Sequence, residues 1–334
     1  MSMALKVKFV DFPSDYMKNM TIPILEKHFG AVEECDQPDF LFYSVFGHKH
    51  LDYDCVRIFW TGENIQPDFN VCDYAIGFGH IQFEDRYQRI PLYYFYDLDY
   101  QRAIHKHLVS PKEIYTRDKF CNFLYSNASA SIERENFFNL LSKYKKIDSG
   151  GKFLNNMDGK LIEDKYEFQR HYKFSIAFEN SSTSGYTTEK ILQAFAAGTI
   201  PIYWGNPRIA DDFCSDSFIN CHEYGDFEEV IEKIKEIDND DELFAHYIQT
   251  PIGTKDKFPE DPLRQYENYL THICSQPKEN AYRRNNVFWG KYYQEEMKNK
   301  FLVNTPIISK KDGFMDKIKK SNTMKGIIGK FSSK

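Results

Sequence analysis

Phe178-Glu179-Asn180-Ser181-Ser182-Thr183-Ser184-Gly185-Tyr186-Thr187-Thr188-Glu189-Lys190 is the stretch from which the fold of this chain can be read. A strand-like apolar run, Phe174 to Phe178, leads into it. A helix-like run, Ile191 to Ala197, follows and is stopped by Gly198. A second apolar run, Thr199 to Trp204, ends in Gly205-Asn206-Pro207. The order is strand, polar loop, helix, strand. In open α/β sheets, ligands sit beyond the carboxyl ends of the strands and against helix N-termini. Gly198 suits the position just past a helix, and Pro201 cannot continue one. Thr187 or Thr188 can cap the helix, since a hydroxyl accepts from an orphan N–H two or three residues on. Glu189 complements the helix dipole in the first turn, whereas Lys190 opposes it. A bound anion would account for Lys190; the plainer reading is a surface loop with an unpaired lysine.

The same alternation runs outward in both directions. Leu5 to Val10 is strand-like, and Asp15 to Phe29 reads as a helix ending at Gly30. Phe40 to Val45, Cys55 to Trp60 and Asp73 to Ile76 are strand-like. A second series holds a strand at Phe120 to Tyr125, a helix at Ile132 to Tyr144, the stretch already quoted, and Phe227 to Ile237. Strands alternating with helices predict an α/β fold with parallel sheets covered on both faces. Two such sets, separated by a polar stretch near Pro111 to Asp118, predict two Rossmann-like domains facing a cleft. The expected division is 1–115, 116–305 and a tail at 306–334. Arg134 repeats the pattern of Lys190. It follows the polar loop Ser126 to Ser131 and falls in the first turn of the next helix. Arginine forks two phosphate oxygens while lysine supplies a point charge, so two such cations could cradle a pyrophosphate without metal. A solvated helix arginine is the plainer alternative.

Composition narrows the classes. At 334 residues the chain has room for about two domains. The net charge of −6 argues against a general nucleic-acid binder. Seven Cys, scattered without metal-ligand spacing, read as reduced thiols of a cytosolic protein. No apolar run approaches the roughly 18 residues of a membrane span, and Met1 to Lys8 lacks the apolar region of a secretory signal.

Phe178-Glu179-Asn180, Gly185 to Ile191 and Ile200 to Pro207 together resemble the donor-site signature of the α1,3/α1,4-fucosyltransferases. Further blocks follow that family's order: Thr61-Gly62-Glu63-Asn64, then Phe69 to Phe78 with Asp85-Arg86-Tyr87 and Ile90 to Tyr94, then Phe123 to Asn127. The resemblance covers about Ile58 to Phe227, roughly half the chain. It implies a bacterial-type, cytoplasmic, inverting enzyme of two-domain GT-B architecture, since animal members carry a membrane anchor. It implies GDP-fucose as donor and the 3- or 4-hydroxyl of a GlcNAc or glucose unit in a lactosamine- or lactose-type glycan as acceptor, with no cofactor and no essential divalent metal. Carried over position by position, Glu63 is the expected general base, and Asn180, Tyr186, Glu189 and Lys190 are donor contacts. Arg134 would hold the phosphates, although the loop before it is one residue longer than the family pattern. Glu179 competes with Glu189 as the carboxylate that meets sugar hydroxyls. A similar enzyme for another nucleotide sugar, or a catalytically silent glycan- or membrane-binding relative, are the rival readings.

Glu63 also stands on its own residues. It follows the apolar run Val56 to Trp60, at a strand's carboxyl end, and transfer to a hydroxyl needs a base for that proton. The alternative is a turn with a solvated carboxylate. Asp52-Tyr53-Asp54, Asp97-Leu98-Asp99 and Asp238-Asn239-Asp240 have the metal-binding Asp-x-Asp form but lie outside the donor block, so surface acids are expected. The pairs His48/His50 and His105/His107 lack a third ligand at zinc spacing. His80, in Phe78-Gly79-His80-Ile81, is expected to be structural rather than acceptor-binding. Lys310 to Lys334 holds eight Lys against two Asp, with apolar residues near helical spacing. It reads either as a basic amphipathic segment for an anionic membrane surface or as a solvated end.

Overall fold

Short apolar runs become parallel strands in two separate sheets. The structure, a computed structural model, describes residues 4–110, 114 and 116–304, with backbone alone for 301–304. The membrane reading of Lys310 to Lys334 therefore lies outside the described residues. In the first sheet, β1 (Leu5–Val10) leads through α1 (Tyr16–Phe29) to β2 (Val32–Glu34), followed by β3 (Phe40–Tyr43), β4 (Val56–Trp60), β5 (Tyr74–Gly77) and β6 (Tyr87–Arg89). The spatial order is β2-β1-β3-β4-β5-β6. Val7 pairs with Phe40, Phe40 with Val56 and Ile58 with Tyr74, all in parallel. Every residue of β3 is buried, as a parallel strand covered on both faces requires.

The second sheet begins after α2 (Asp97–Ile104). It takes in β7 (Lys119–Phe123), α3 (Glu133–Leu141), β8 (Ile147–Ser149), α4 (Lys165–Gln169), β9 (Tyr172–Phe178), α5 (Glu189–Ala196), β10 (Ile200–Trp204), β11 (Ile219–Asn220), α6 (Phe227–Asn239) and α7 (Asp241–Gln249). Its order is β11-β10-β9-β7-β8, and its strand pairs are parallel. Phe123, Phe137, Phe174, Phe178, Ile200 and Ile234 sit in its core. The chain closes with α8 (Arg264–Cys274), α9 (Lys278–Ala281) and α10 (Trp289–Asn304).

Counted within each sheet, both begin 2-1-3-4-5, the doubly wound order whose switch point falls between the first and third strands. The compact units follow a different division from a cut near residue 115. Residues 89–265, with 78–80, form one unit. Residues 4–77, 81–88 and 266–304 form the other, so the last helices return to the first sheet's unit. The reason is local to each unit. In the second, Arg89 forks the Asp212 carboxylate with two bonds of 2.8 Å. In the first, buried Asp73 accepts from the backbone N–H of Arg57, Arg283 and Arg284 and pairs with the Arg284 side chain. Neither link is local in sequence.

Most predicted elements are present, with shorter ends. The expected strand Phe120 to Tyr125 is Lys119–Phe123, and the expected helix Ile132 to Tyr144 is Glu133–Leu141. Of the expected surface acids, one is buried and another half-buried. Asp238 is buried and paired with Lys145 and Lys173, and Asp99 accepts from Gln193 of α5 at 3.1 Å.

Candidate functional site

At the switch point of the second sheet, β7 stops before β9 does. The pairing ends at Asn122 opposite Ser175. Beyond it, the Tyr125 hydroxyl donates to Ile176 O at 2.8 Å and accepts from Phe178 N at 2.7 Å. Burial pushes that hydroxyl up to about 12, with Arg134 and Lys190 pulling the other way. The Arg134 guanidinium lies 4.0 Å from the centre of the Tyr125 ring. Its Nη2 donates to Phe178 O at 2.9 Å and to Asn180 Oδ1 at 2.8 Å, and its Nε has no hydrogen-bond partner. Arg134 is fully buried, so it is not the solvated helix arginine of the plainer reading. It forms no ion pair with a carboxylate among the described residues. Asn180 is fixed from its other side, where its carbonyl accepts from Ser131 N at 2.8 Å.

The loop after β9 turns on Glu179. This fully buried carboxylate accepts from Thr188 N and Thr188 Oγ1, each at 2.7 Å, and from Lys190 Nζ at 3.0 Å. The N-terminus of α5 is therefore capped by an acid nine residues upstream. Thr188 occupies the cap position, but its hydroxyl donates to Glu179 and makes no cap bond to the helix. Lys190 also reaches Glu189 Oε1 at 3.7 Å. Burial disfavours its charge, but Glu179 and then Glu189 outweigh that and hold its pKa raised. The anion that accounts for a lysine in this turn is thus built into the chain. Burial acts against the Glu189 carboxylate too, and Lys190 and Lys165 together hold it below its ordinary range.

The loop is pinned at its far end by Asn206. Its buried Oδ1 accepts from Gly185 N at 2.7 Å, and its Nδ2 donates to Thr187 Oγ1 at 3.1 Å. Gly185 has φ +84°, and a Cβ there would meet Phe78 O at 2.6 Å, so only glycine satisfies both conditions. Tyr186 is buried with its ring edge-on to Phe78 at 5.1 Å. His80 is exposed and packs beside Gly185.

Arg134, Asn180, Tyr186, Glu189 and Lys190 thus fall in one unit around one strand end, whereas Glu63 belongs to the other. Glu63 is exposed in the turn after β4, where its N–H donates to Thr61 Oγ1 at 3.0 Å. At that sheet's own switch point, Asp11 has φ +60°. Its carboxylate accepts from Lys49 N, His50 N and His50 Nδ1 at 2.8 to 3.1 Å. The His50 ring stacks on Tyr43 at 4.1 Å. Sequence reading passed over Asp11 and Glu179's capping role, because both act on residues a loop away. Among the described residues, no group of three His, Cys, Asp or Glu side chains could hold a metal ion, and no helix is long and apolar enough to cross a membrane.

A doubly wound parallel sheet with arginine and lysine gathered at its switch point defines an α/β unit of the nucleotide-binding kind. Residues 114–287 match the model described as glycosyltransferase family 10 (fucosyltransferase), C-terminal, and residues 7–96 match the alpha-(1,3)-fucosyltransferase FucT N-terminal domain. The chain belongs to glycosyltransferase family 10. It is 34% identical over 246 residues to an alpha-(1,3)-fucosyltransferase FucT of Helicobacter pylori, covering 62% of this chain and 50% of that protein. It is 30% identical over 170 residues to a chimpanzee 4-galactosyl-N-acetylglucosaminide 3-alpha-L-fucosyltransferase 9, covering 50% and 45%. The chain thus spans about half the length of the curated relatives it matches. A crystal structure of an alpha1,3-fucosyltransferase with GDP-fucose superposes with a TM-score of 0.69 at 26% identity, covering 84% of this chain and 93% of that one.

Proposed function

We propose that the chain transfers L-fucose from GDP-fucose to the 3-hydroxyl, or the 4-hydroxyl, of a GlcNAc or glucose unit in a lactosamine- or lactose-type glycan. The observation that carries this reading is the polar loop Asn180 to Lys190, tied to the carboxyl end of β9 at a switch point and lying within the matched family region. The related alpha1,3-fucosyltransferase crystal structure with GDP-fucose supports the donor.

Glu63 takes the proton of the acceptor hydroxyl as that oxygen attacks the anomeric carbon. The bond from that carbon to the diphosphate oxygen breaks, the electron pair leaves with GDP, and configuration inverts. Negative charge grows on the departing diphosphate, so preorganised cations beside it lower the barrier. Arg134 and Lys190 are the residues assigned to that role, with Asn180, Tyr186 and Glu189 as the other donor contacts. No divalent metal is assigned a part.

Incubation with GDP-fucose and a lactosamine-type acceptor tests the reading. GDP release matched by a fucosylated product with a 1,3 or 1,4 linkage is expected. Release without a glycan product, or turnover only with another nucleotide sugar, would overturn it. No turnover, together with glycan binding, would identify a silent relative. The charge of Lys310 to Lys334 supports contact with an anionic membrane from the cytoplasmic side, each lysine adding about 1 kcal/mol near such a surface. Removing 310–334 is expected to abolish sedimentation with anionic vesicles while neutral vesicles stay unbound. Equal pelleting with and without that segment would sink this part.

A further inference from the structure

Helix α5 shows which of its positions are not committed to packing. Ile191, Leu192, Ala194, Phe195 and Ala196 are buried; Glu189, Lys190 and Gln193 are half-buried. Gln193 stands four residues after Glu189 and three after Lys190, so these three share a side of the helix. That side carries the cluster just described and meets one cation that no motif singles out. Lys165, in the first turn of α4, lies against it with Nζ 2.5 Å from Gln193 Oε1.

Three cations surround the end of β9, and they are matched unequally. Lys190 is neutralised by Glu179, with Glu189 close behind. Lys165 is held by a neutral amide, and no carboxylate forms an ion pair with it among the described residues. Gln193 bridges Lys165 to Asp99 of α2, since its Nε2 donates to Asp99 while its Oε1 accepts from Lys165. The remaining charged groups facing Lys165 are Glu189, Lys190 and Glu179. Burial lowers the Lys165 pKa, Glu189 opposes that shift and Lys190 adds to it. A half-buried ammonium with no carboxylate in contact is costly to hold, and an arriving anion would supply that contact. Arg134 also lacks a carboxylate but is fully buried, whereas Lys165 is half-buried.

We infer that Lys165 is a donor-binding residue, a half-buried cation that forms no ion pair among the described residues and takes one when a nucleoside diphosphate arrives. This rests on the reading of the second unit as the GDP-fucose site. It adds Lys165 of α4 to Arg134 and Lys190 as a cation for the diphosphate, and Lys190 also holds Glu179 and the loop.

Calorimetric titration of the full chain with GDP and with guanosine tests it. GDP carries the diphosphate and guanosine does not. Lys165→Met is expected to weaken GDP about ten- to hundredfold, the range for a hydrogen bond to a charged group, and to leave guanosine affinity unchanged. Lys165→Arg should keep most of the GDP affinity. Gln193→Glu, which gives Lys165 an internal counter-ion, should weaken GDP in the same sense without removing the lysine. If Lys165→Met does not fold, the Gln193→Glu result decides. Unchanged GDP affinity in either folded variant, or equal losses for GDP and guanosine, overturns the inference. Failure of the unaltered chain to bind GDP at all would overturn the donor reading itself, and this assignment with it.

Discussion

The two sheets have the same strand order at their switch points, yet the side chains that fill them have opposite character. In the first, the centre is a carboxylate, Asp11, whose partners are backbone N–H groups and one histidine ring. In the second, three cations gather around one strand end, and among the described residues only Lys190 of the three forms an ion pair with a carboxylate. Topology chooses the place where a ligand sits; the side chains choose the ligand's charge. A carboxylate centre disfavours an anion, and a group of cations favours one.

The largest expected effect breaks the division outright. If the acceptor-side chemistry belongs to the first unit, Glu63→Gln should lower turnover by about two to four orders of magnitude, the cost of a lost general base. Calorimetry should show GDP binding nearly unchanged. Near-normal turnover would assign the base elsewhere.

A second test separates matched cations from unmatched ones. Lys190→Ala leaves Glu179 buried without its charge partner, which costs about 3–5 kcal/mol in buried pairs. Urea denaturation should show that loss, with part of it restored by adding Glu179→Gln. A Lys190→Ala protein as stable as the parent would show that the Glu179 charge is met without Lys190.

A smaller effect sharpens the first switch point. Burial holds the His50 ring below its ordinary pKa of 6.5, with Asp11 opposing that shift and Arg57 and His48 adding to it. The unfolded chain therefore takes up this proton at higher pH than the folded one. Stability should fall as the pH drops through 6.5 and stop falling once the folded ring is also charged, with a slope of up to about 1.4 kcal/mol per pH unit. Thermal denaturation between pH 7 and 5 should show this component, and His50→Gln should remove it. An unchanged slope in that variant would assign the pH dependence to other groups.

The smallest effect is the absence of one. With cations assigned to the diphosphate, turnover should survive excess chelator. Activity that vanishes and returns with added divalent ion would direct attention to Asp97 and Asp99, which lie on the helix tied to Gln193.

Much of this arrangement could be read in the chain beforehand. Runs such as Phe40 to Tyr43 and Ile200 to Trp204 are too apolar and too short for anything but buried parallel strands, and Gly198 ends α5 with φ +66°. The loop Asn180 to Lys190 was legible because its residues are contiguous. What stayed hidden depends on groups far apart in sequence. Lys165 reaches α5 across 28 residues, and Asp73 is held by Arg283 and Arg284 more than 200 residues on. Glu179 looked like a competitor for a sugar hydroxyl, yet its side chain serves as the cap of α5. The short strands β8 and β11 carry too little periodicity to be seen, since their existence depends on the strand beside them.

The Tyr125 hydroxyl has a consequence for how the sheet ends. It fills the place of a missing strand, closing Ile176 O and Phe178 N where β7 no longer runs alongside β9. Both backbone groups lie in the core, with Ile176, Ala177 and Phe178 all buried, so no water can take the hydroxyl's place. Replacing it with the hydrogen of phenylalanine would leave the apolar contacts intact and strand one donor and one acceptor, each at about 1–3 kcal/mol. One phenol oxygen thus lets a strand end inside a protein instead of at its surface.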